Sequence, residues 1–450
     1  MTRTLIRDLD YIVTVDADES VLRHHSLVIG ADGSIEAIGP DQAISAAYPD
    51  AKVVDGRRRL LLPGLVNLHT HTPMTLLRGL AEQVDLQGFL KRVWAAEGVV
   101  MDPDTVELGA QLGALESLLG GSTTQLDMYF HDDRAHRGAV RVGTRHVGGP
   151  VFFDFEGPDH KTWDERLEIL AGWPQVVRDA GGAFVPNAVC PHGTYTLSEA
   201  RLAELASVIS GWSNPLLTIH ISENAAENKD VLTRFGKTPT QMLHDAGVLA
   251  GNFPVVFGHG VHLTKEDVAL AAQPHVSVAH CPASNLKLAS GALNWTALKK
   301  KNVRLGIGTD GCSSSNDLDM WQAMRMSALL ATHTAGRADR VGAFEVLRAA
   351  TLGGAEALGM GDLIGSIEVG KRADLVLIDL DQPHLTPVHD VHALLVYAAG
   401  RGDVTDVFVD GVRVVAAGES TRVDGTELMK HARERGEVAL KAANEASDVH

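Results

Sequence analysis

Residues 64–71 read Gly-Leu-Val-Asn-Leu-His-Thr-His, a short apolar run that ends in two histidines. The pattern recurs in STTQLDMYFH (122–131), GGPVFFDFEG (148–157), GAFVPNAVCPHG (182–193), PLLTIHISE (215–223), FPVVFGHG (253–260), VSVAHCPAS (276–284) and VRLGIGTDG (303–311). Each run is short enough for a buried strand. The stretches between them, such as 103–121 and 198–212, carry apolar residues at i, i+3, i+4 and i+7, the spacing of an amphipathic helix. About eight strand–helix units over some 300 residues predict a (β/α)8 TIM-like barrel. A doubly wound sheet is the alternative, but no glycine-rich phosphate turn follows the first run.

Outward from this repeat the style changes. YIVTVD (11–16), SLVIGADGSIEAIG (26–39) and KVVDGRRRLLLPG (52–64) are β-like and punctuated by Asp-Gly turns. GSIEVGKRADLVLIDLD (365–381) and VTDVFVDGVRVVAAGE (404–419) return to that style, and a charged, helical tail starts near Glu427. The expected organisation is a small β-sandwich built from both termini (1–62 and 366–450), with the barrel (63–365) inserted.

Composition narrows the function classes. The 450 residues are 45% hydrophobic, enough for a sizeable core. Forty Lys and Arg against 57 Asp and Glu give a net charge of −17. That argues against nucleic-acid and anionic-membrane partners, which need basic surfaces. No run approaches the length of a membrane span. Arg7, Asp8 and Asp10 stand where a signal peptide needs its apolar core, so the expected location is the cytoplasm. Cys190, Cys281 and Cys312 form neither a disulfide framework nor a CxxC module, and are read as small buried residues.

The polar residues fall where a barrel has its catalytic mouth, at the strand C-termini. His69 and His71 end the first run, His220 the fifth, His259 the sixth and Asp310 the eighth. Side chains two apart on a strand share a face, so both histidines of the first run can enter the barrel. Three imidazoles and a carboxylate suit a Zn²⁺-type cation with one position left for water. From the residues alone, a four-histidine site with Asp310 outside stays open. Glu223 lies three residues past His220, so the chain must curl out of the strand to bring it back to the same mouth. There a carboxylate can act as general acid and base.

LLPGLVNLHTHTPMTLLRGL (61–80), TIHISE (218–223), HCPASNLKLASG (280–291) and GTDGCSSSNDLDMWQAMRMSALL (308–330) resemble the amidohydrolase superfamily. Within it they look like the branch of S-adenosylhomocysteine/methylthioadenosine deaminases and triazine chlorohydrolases. The resemblance covers nearly the whole chain. It implies one divalent metal, zinc with iron as the alternative, held by His69, His71, His220 and Asp310. The fourth run carries no lysine of the kind that bridges two metals. It implies Glu223, His259 and Asp310 as proton-handling catalytic residues. His192, in VCPHGTYT, would meet the heterocycle. Glu97, in VWAAE, would hold ribose hydroxyls, although Ala95 stands where the family motif has proline.

The expected activity is hydrolytic deamination of an aminated heterocycle, an adenosine-type nucleoside first. The alternatives are another ring aminohydrolase (guanine, pterin, pyrimidine), a triazine-type chlorohydrolase or a non-catalytic barrel. The expected partners are a small-molecule substrate and further copies of the chain in a homo-oligomer. The family's arginine for an amino-acid tail has no counterpart after the third run; Arg166 is a loose substitute for a second one. Phe152, Phe153 and Phe155 are read as core, or as favouring a less charged substrate. Ser284 and Asn285 are expected to cap the following helix rather than line the pocket. His262 is expected in a loop. Glu116 and Asp127 receive no role.

Overall fold

The computed structural model describes residues 2–84 and 86–447. Eight strand segments follow the repeat: β1 (Leu65–Thr70), β2 (Ser122–Met128), β3 (Arg145–Gly149), β4 (Asn187–Pro191), β5 (Pro215–Ile221), β6 (Val255–His259), β7 (Val276–His280) and β8 (Arg304–Ile307). Every hydrogen-bonded neighbour among them is parallel. β1–β3 form one ladder. β4–β8 form another, which the short strand Val151–Phe152 joins at β4, just beyond the end of β3. Beside β8, Asn67 of β1 exchanges side-chain bonds with Thr309, and the Asp310 N–H donates to the His69 carbonyl at 2.9 Å. All five residues of β6, Val-Val-Phe-Gly-His, are buried. That explains why these strands read as continuous apolar runs rather than alternating ones.

The helices between strands start where the sequence signals them. Asp102 accepts from Thr105 N and precedes Pro103, opening the helix Pro103–Leu119. Thr162 with Glu165, and Thr264 with Asp267, close reciprocal capping boxes. The terminal segments meet in a nine-stranded sheet. Its seam is Arg59–Pro63 against Leu375–Asp379, antiparallel with Leu61 opposite Leu377. Arg145 of β3 ties that sheet to the barrel strands through a buried two-bond ion pair with Asp374, 2.9 Å on each arm. The C-terminal helix Gly425–Ser447 packs back on the helices Leu86–Val100 and Pro103–Leu119. Among the described residues no helix is long and apolar enough to cross a membrane.

Candidate active site and metal centre

The strand C-termini converge on a buried group. One ligand atom each of His69, His71 and Asp310 lies within 4.8 Å of the others, and the same holds for His69, His220 and His259. The backbone clears the space. A Cβ on Gly258 would sit 3.0 Å from the His69 ring, and one on Gly308 2.8 Å from the His69 carbonyl. His259 and Asp310 turn out of their strands with φ of 71° and 63°, the left-handed region that ordinary residues seldom occupy. Such strain is kept where it aims a side chain.

Hydrogen bonds set which nitrogens face the centre. His71 donates from Nδ1 to the Met128 carbonyl, and His220 from Nδ1 to the His192 carbonyl, each at 2.6 Å. In the neutral rings both Nε2 atoms therefore carry lone pairs, and they face each other at 3.3 Å. His69 is fully buried, and neither of its ring nitrogens has a partner. Asp310 lies 3.1 Å from His71 Nε2 and 3.8 Å from His69 Nε2. Opposed lone pairs and an orphaned buried imidazole are unfavourable by themselves. A divalent cation among them satisfies both, so the residues fit one.

Burial favours the neutral form of these imidazoles, the form a metal needs. It pushes His69 and His220 well below the usual histidine range, with the neighbouring rings adding to it. His259 falls to about 4 and His192 to about 3, again chiefly through burial. Burial pulls His71 down too, but the Asp310 carboxylate beside it, the Met128 carbonyl and Asp127 together outweigh that and leave it raised. Burial raises Asp310; the neighbouring His71 and the surrounding rings override it and hold the carboxylate ionised.

Glu223 arrives as the curl requires. β5 ends at Ile221, and Ser222 takes φ of 50°. The Glu223 carboxyl is buried, lies 3.7 Å from His259 Nε2, and is pushed well up by burial and by Asp310. Glu227, unnoticed in the sequence, holds this turn: its carboxylate accepts from Ser222 N at 3.0 Å and Glu223 N at 2.7 Å. An acidic residue in the first turn of Ala225–Phe235 was its only signal. Glu97 and His192 line the cavity above the histidines, with Trp94, Tyr129, Phe153 and Tyr195. Glu97 is buried, accepts from the Tyr129 hydroxyl at 2.6 Å, and is pushed up to about 7 by burial.

Three expectations need correction. Ser284 and Asn285 do not cap the helix Pro282–Lys287; they lie inside it, and Asn285 donates to His259 Nδ1. Arg166 is not available to a substrate, because its terminal nitrogens are taken by Asp159, Val151 O and Glu156 O. The three phenylalanines divide: Phe152 is core, Phe153 lines the cavity, and Phe155 is 45% exposed. Asp127, given no role, accepts from Thr72 and from the buried His146, bracing the segment after His71. Glu116 pairs with Arg78 at the surface, His262 donates to the Ser290 carbonyl, and the three cysteines are free and buried.

The amidohydrolase family model matches residues 60–414. The chain belongs to the amidohydrolase family. It is 37% identical to a 5-methylthioadenosine/S-adenosylhomocysteine deaminase of Moorella thermoacetica, over 90% of this chain and 93% of that one. A protein of the same description from Thermococcus kodakarensis is 39% identical over 80% and 83%. Among solved structures, a zinc-bound adenosine deaminase from Xanthomonas campestris superposes with a TM-score of 0.91 at 36% identity, covering 97% of this chain and 98% of that one. An atrazine chlorohydrolase from Arthrobacter aurescens, complexed with zinc, shares the fold at TM-score 0.86 and 23% identity, covering 96% and 100%. This amidohydrolase is thus a TIM-barrel-type enzyme that hydrolyses carbon–nitrogen bonds, and its buried His/Asp group fits a divalent metal.

Proposed function

We propose that this amidohydrolase is a zinc-dependent deaminase of an adenosine-type nucleoside. One observation carries the reading: a buried carboxyl, Glu223, stands beside a group of imidazoles in which both His69 nitrogens lack a partner and the Nε2 atoms of His71 and His220 face each other at 3.3 Å. His69, His71, His220 and Asp310 would hold the metal. When bound, the cation supplies a Lewis acid that lowers the pKa of water from 15.7 to about 7.

The chain's own residues supply the rest. Glu223 takes a proton from the attacking water and passes it to the ring nitrogen beside the amino-bearing carbon. The water oxygen forms the new C–O bond at that carbon. Asp310 takes the second water proton and returns it to the amine. The C–N bond then breaks, ammonia leaves, and the ring keeps a carbonyl and an N–H. His259, with Nε2 toward Glu223, donates to the oxygen as charge develops there. His192 meets the heterocycle, and Glu97 accepts from two ribose hydroxyls. Glu223 favours amine as leaving group, since ammonia needs proton delivery and chloride does not.

The proposal includes a closed eight-stranded barrel (63–365), the terminal sheet (1–62 and 366–450) folded as a sandwich, and a homo-oligomer in the cytoplasm. The parallel ladders and the seam at Leu61 and Leu377 support the first two. Ammonia release from adenosine and methylthioadenosine by the zinc-loaded protein tests the function. A panel of aminated purines, pterins and triazines that yields none would overturn it; chloride from a halotriazine alone would select the chlorohydrolase.

A further inference from the structure

The polar groups that line the cavity are the histidines, Asp310, Glu223, His192, Tyr195, and Glu97 with Tyr129. The remaining lining residues are apolar or aromatic. Trp94 lies 6.1 Å from Phe153, Phe153 lies 4.9 Å from His192, and Phe89, Val93 and Leu288 extend the surface. Phe155 stands at the outer edge of this cluster, 5.2 Å from Phe153 and 5.8 Å from Trp94.

Among the described residues no lysine or arginine lines the cavity. The nearby buried guanidinium, Arg166, sits 5.2 Å over the Phe153 ring with its terminal nitrogens already committed. Beside the metal group and the tyrosines, the ionisable side chains a ligand meets among the described residues are carboxyls, Glu97 and Glu223, and imidazoles that burial favours as neutral. A ligand carboxylate placed here loses its water and gains no cation. An ammonium group could at least lie on the aromatic faces.

We propose that this cavity selects adenosine nucleosides whose 5′ substituent is apolar and uncharged, such as a methylthio group, and rejects one that ends in an amino-acid carboxylate. The selection rests on the nucleoside-deaminase reading above. A thioether sulfur suits the aromatic wall. An unpaired buried carboxylate makes rejection far stronger than a mere size difference would.

The test compares kcat/KM of the zinc-loaded full chain for four thioethers. These are 5′-methylthioadenosine, 5′-butylthioadenosine, 5′-(3-aminopropylthio)adenosine and S-adenosylhomocysteine. The first two should agree within about tenfold. S-adenosylhomocysteine should be poorer than methylthioadenosine by about 100-fold or more, and the aminopropyl compound should lie between. S-adenosylhomocysteine within tenfold of methylthioadenosine would overturn the proposal. So would a butylthio compound as poor as S-adenosylhomocysteine, since length and not charge would then decide.

A binding readout separates failure of this proposal from failure of the parent reading. Calorimetric titration with methylthioinosine and S-inosylhomocysteine should show the same preference whether or not turnover occurs, and equal affinities would overturn the selection. Ammonia from none of the four thioethers, with the binding preference intact, would sink only the deaminase reading. Finally, Phe155→Arg puts a cation at the rim without touching the core. It should raise the ratio of kcat/KM for S-adenosylhomocysteine over methylthioadenosine at least tenfold, and an unchanged ratio would count against the charge argument.

Discussion

Asn285 donates a hydrogen bond from its side-chain amide to Nδ1 of His259, at 3.0 Å. A neutral imidazole that accepts at Nδ1 carries its proton on Nε2. That nitrogen faces Glu223, so His259 is set up to donate and not to ligate. Asn285→Ala frees the ring to take the other tautomer. Turnover should fall by ~10–10²-fold with metal content unchanged. Loss of metal in this variant would instead place His259 among the ligands.

Glu223→Gln keeps size and burial but removes proton transfer. kcat should drop by ~10²–10⁴-fold while KM and bound metal stay near the parent values. Unchanged kcat would remove Glu223 from the reaction.

His69 offers two buried nitrogens with no protein partner. Metal analysis should give one divalent ion per chain, lost after chelation and restored with activity by added zinc. His69→Ala should hold well below one ion. Because the ion binds only the folded chain, chelation should lower the melting temperature. The stabilisation lost would be about 4 kcal/mol for an ion present at ~1,000 times its Kd.

Glu97 should anchor the sugar rather than the base. Glu97→Ala should cut kcat/KM for a nucleoside by ~10–10²-fold, the usual worth of a hydrogen bond to a charged group. An aminated free base should be affected far less. An equal loss on both would make Glu97 structural.

Asp132 opens the helix Asp132–Val142, and its carboxyl is pushed up to about 7 by burial and by Asp133. A raised carboxyl favours the protonated form in the fold. The contribution of Asp132 to stability should therefore be fully present below about pH 4 and be lost as pH rises toward 7, by a few kcal/mol at most. Asp132→Asn should flatten that decline, stabilising the protein at pH 8 with little effect at pH 4. Melting curves across that range check it; parallel curves for parent and variant would refute it.

Most of the parallel strands were legible because each is a local event, a short apolar run closed by a polar residue and flanked by helical spacing; the third was not, since β3 is Arg-His-Val-Gly-Gly and the run read at 148–157 holds only the short strand Val151–Phe152. His69, His71, His220, His259 and Asp310 stood out for the same reason, since each lies at the end of one of four such runs. The curl at Ser222 was legible as well, because strand parity alone would have sent Glu223 away from His220.

What the order of residues could not carry is everything set by pairs distant along the chain. The Asn285 side chain reads locally as a cap and becomes a partner of His259 only when β6 lies beside β7. Arg166 reads as a free cation until the fold folds Asp159 and two carbonyls onto it. Glu97 reads as one face of a helix; packing against Tyr129 buries it. Sequence by itself determined which side chains end the strands, because strand ends are written in local pattern. Tertiary structure alone decided which lone pairs face one another and which charges are already spent, because burial and hydrogen-bond partners exist only after distant segments pack.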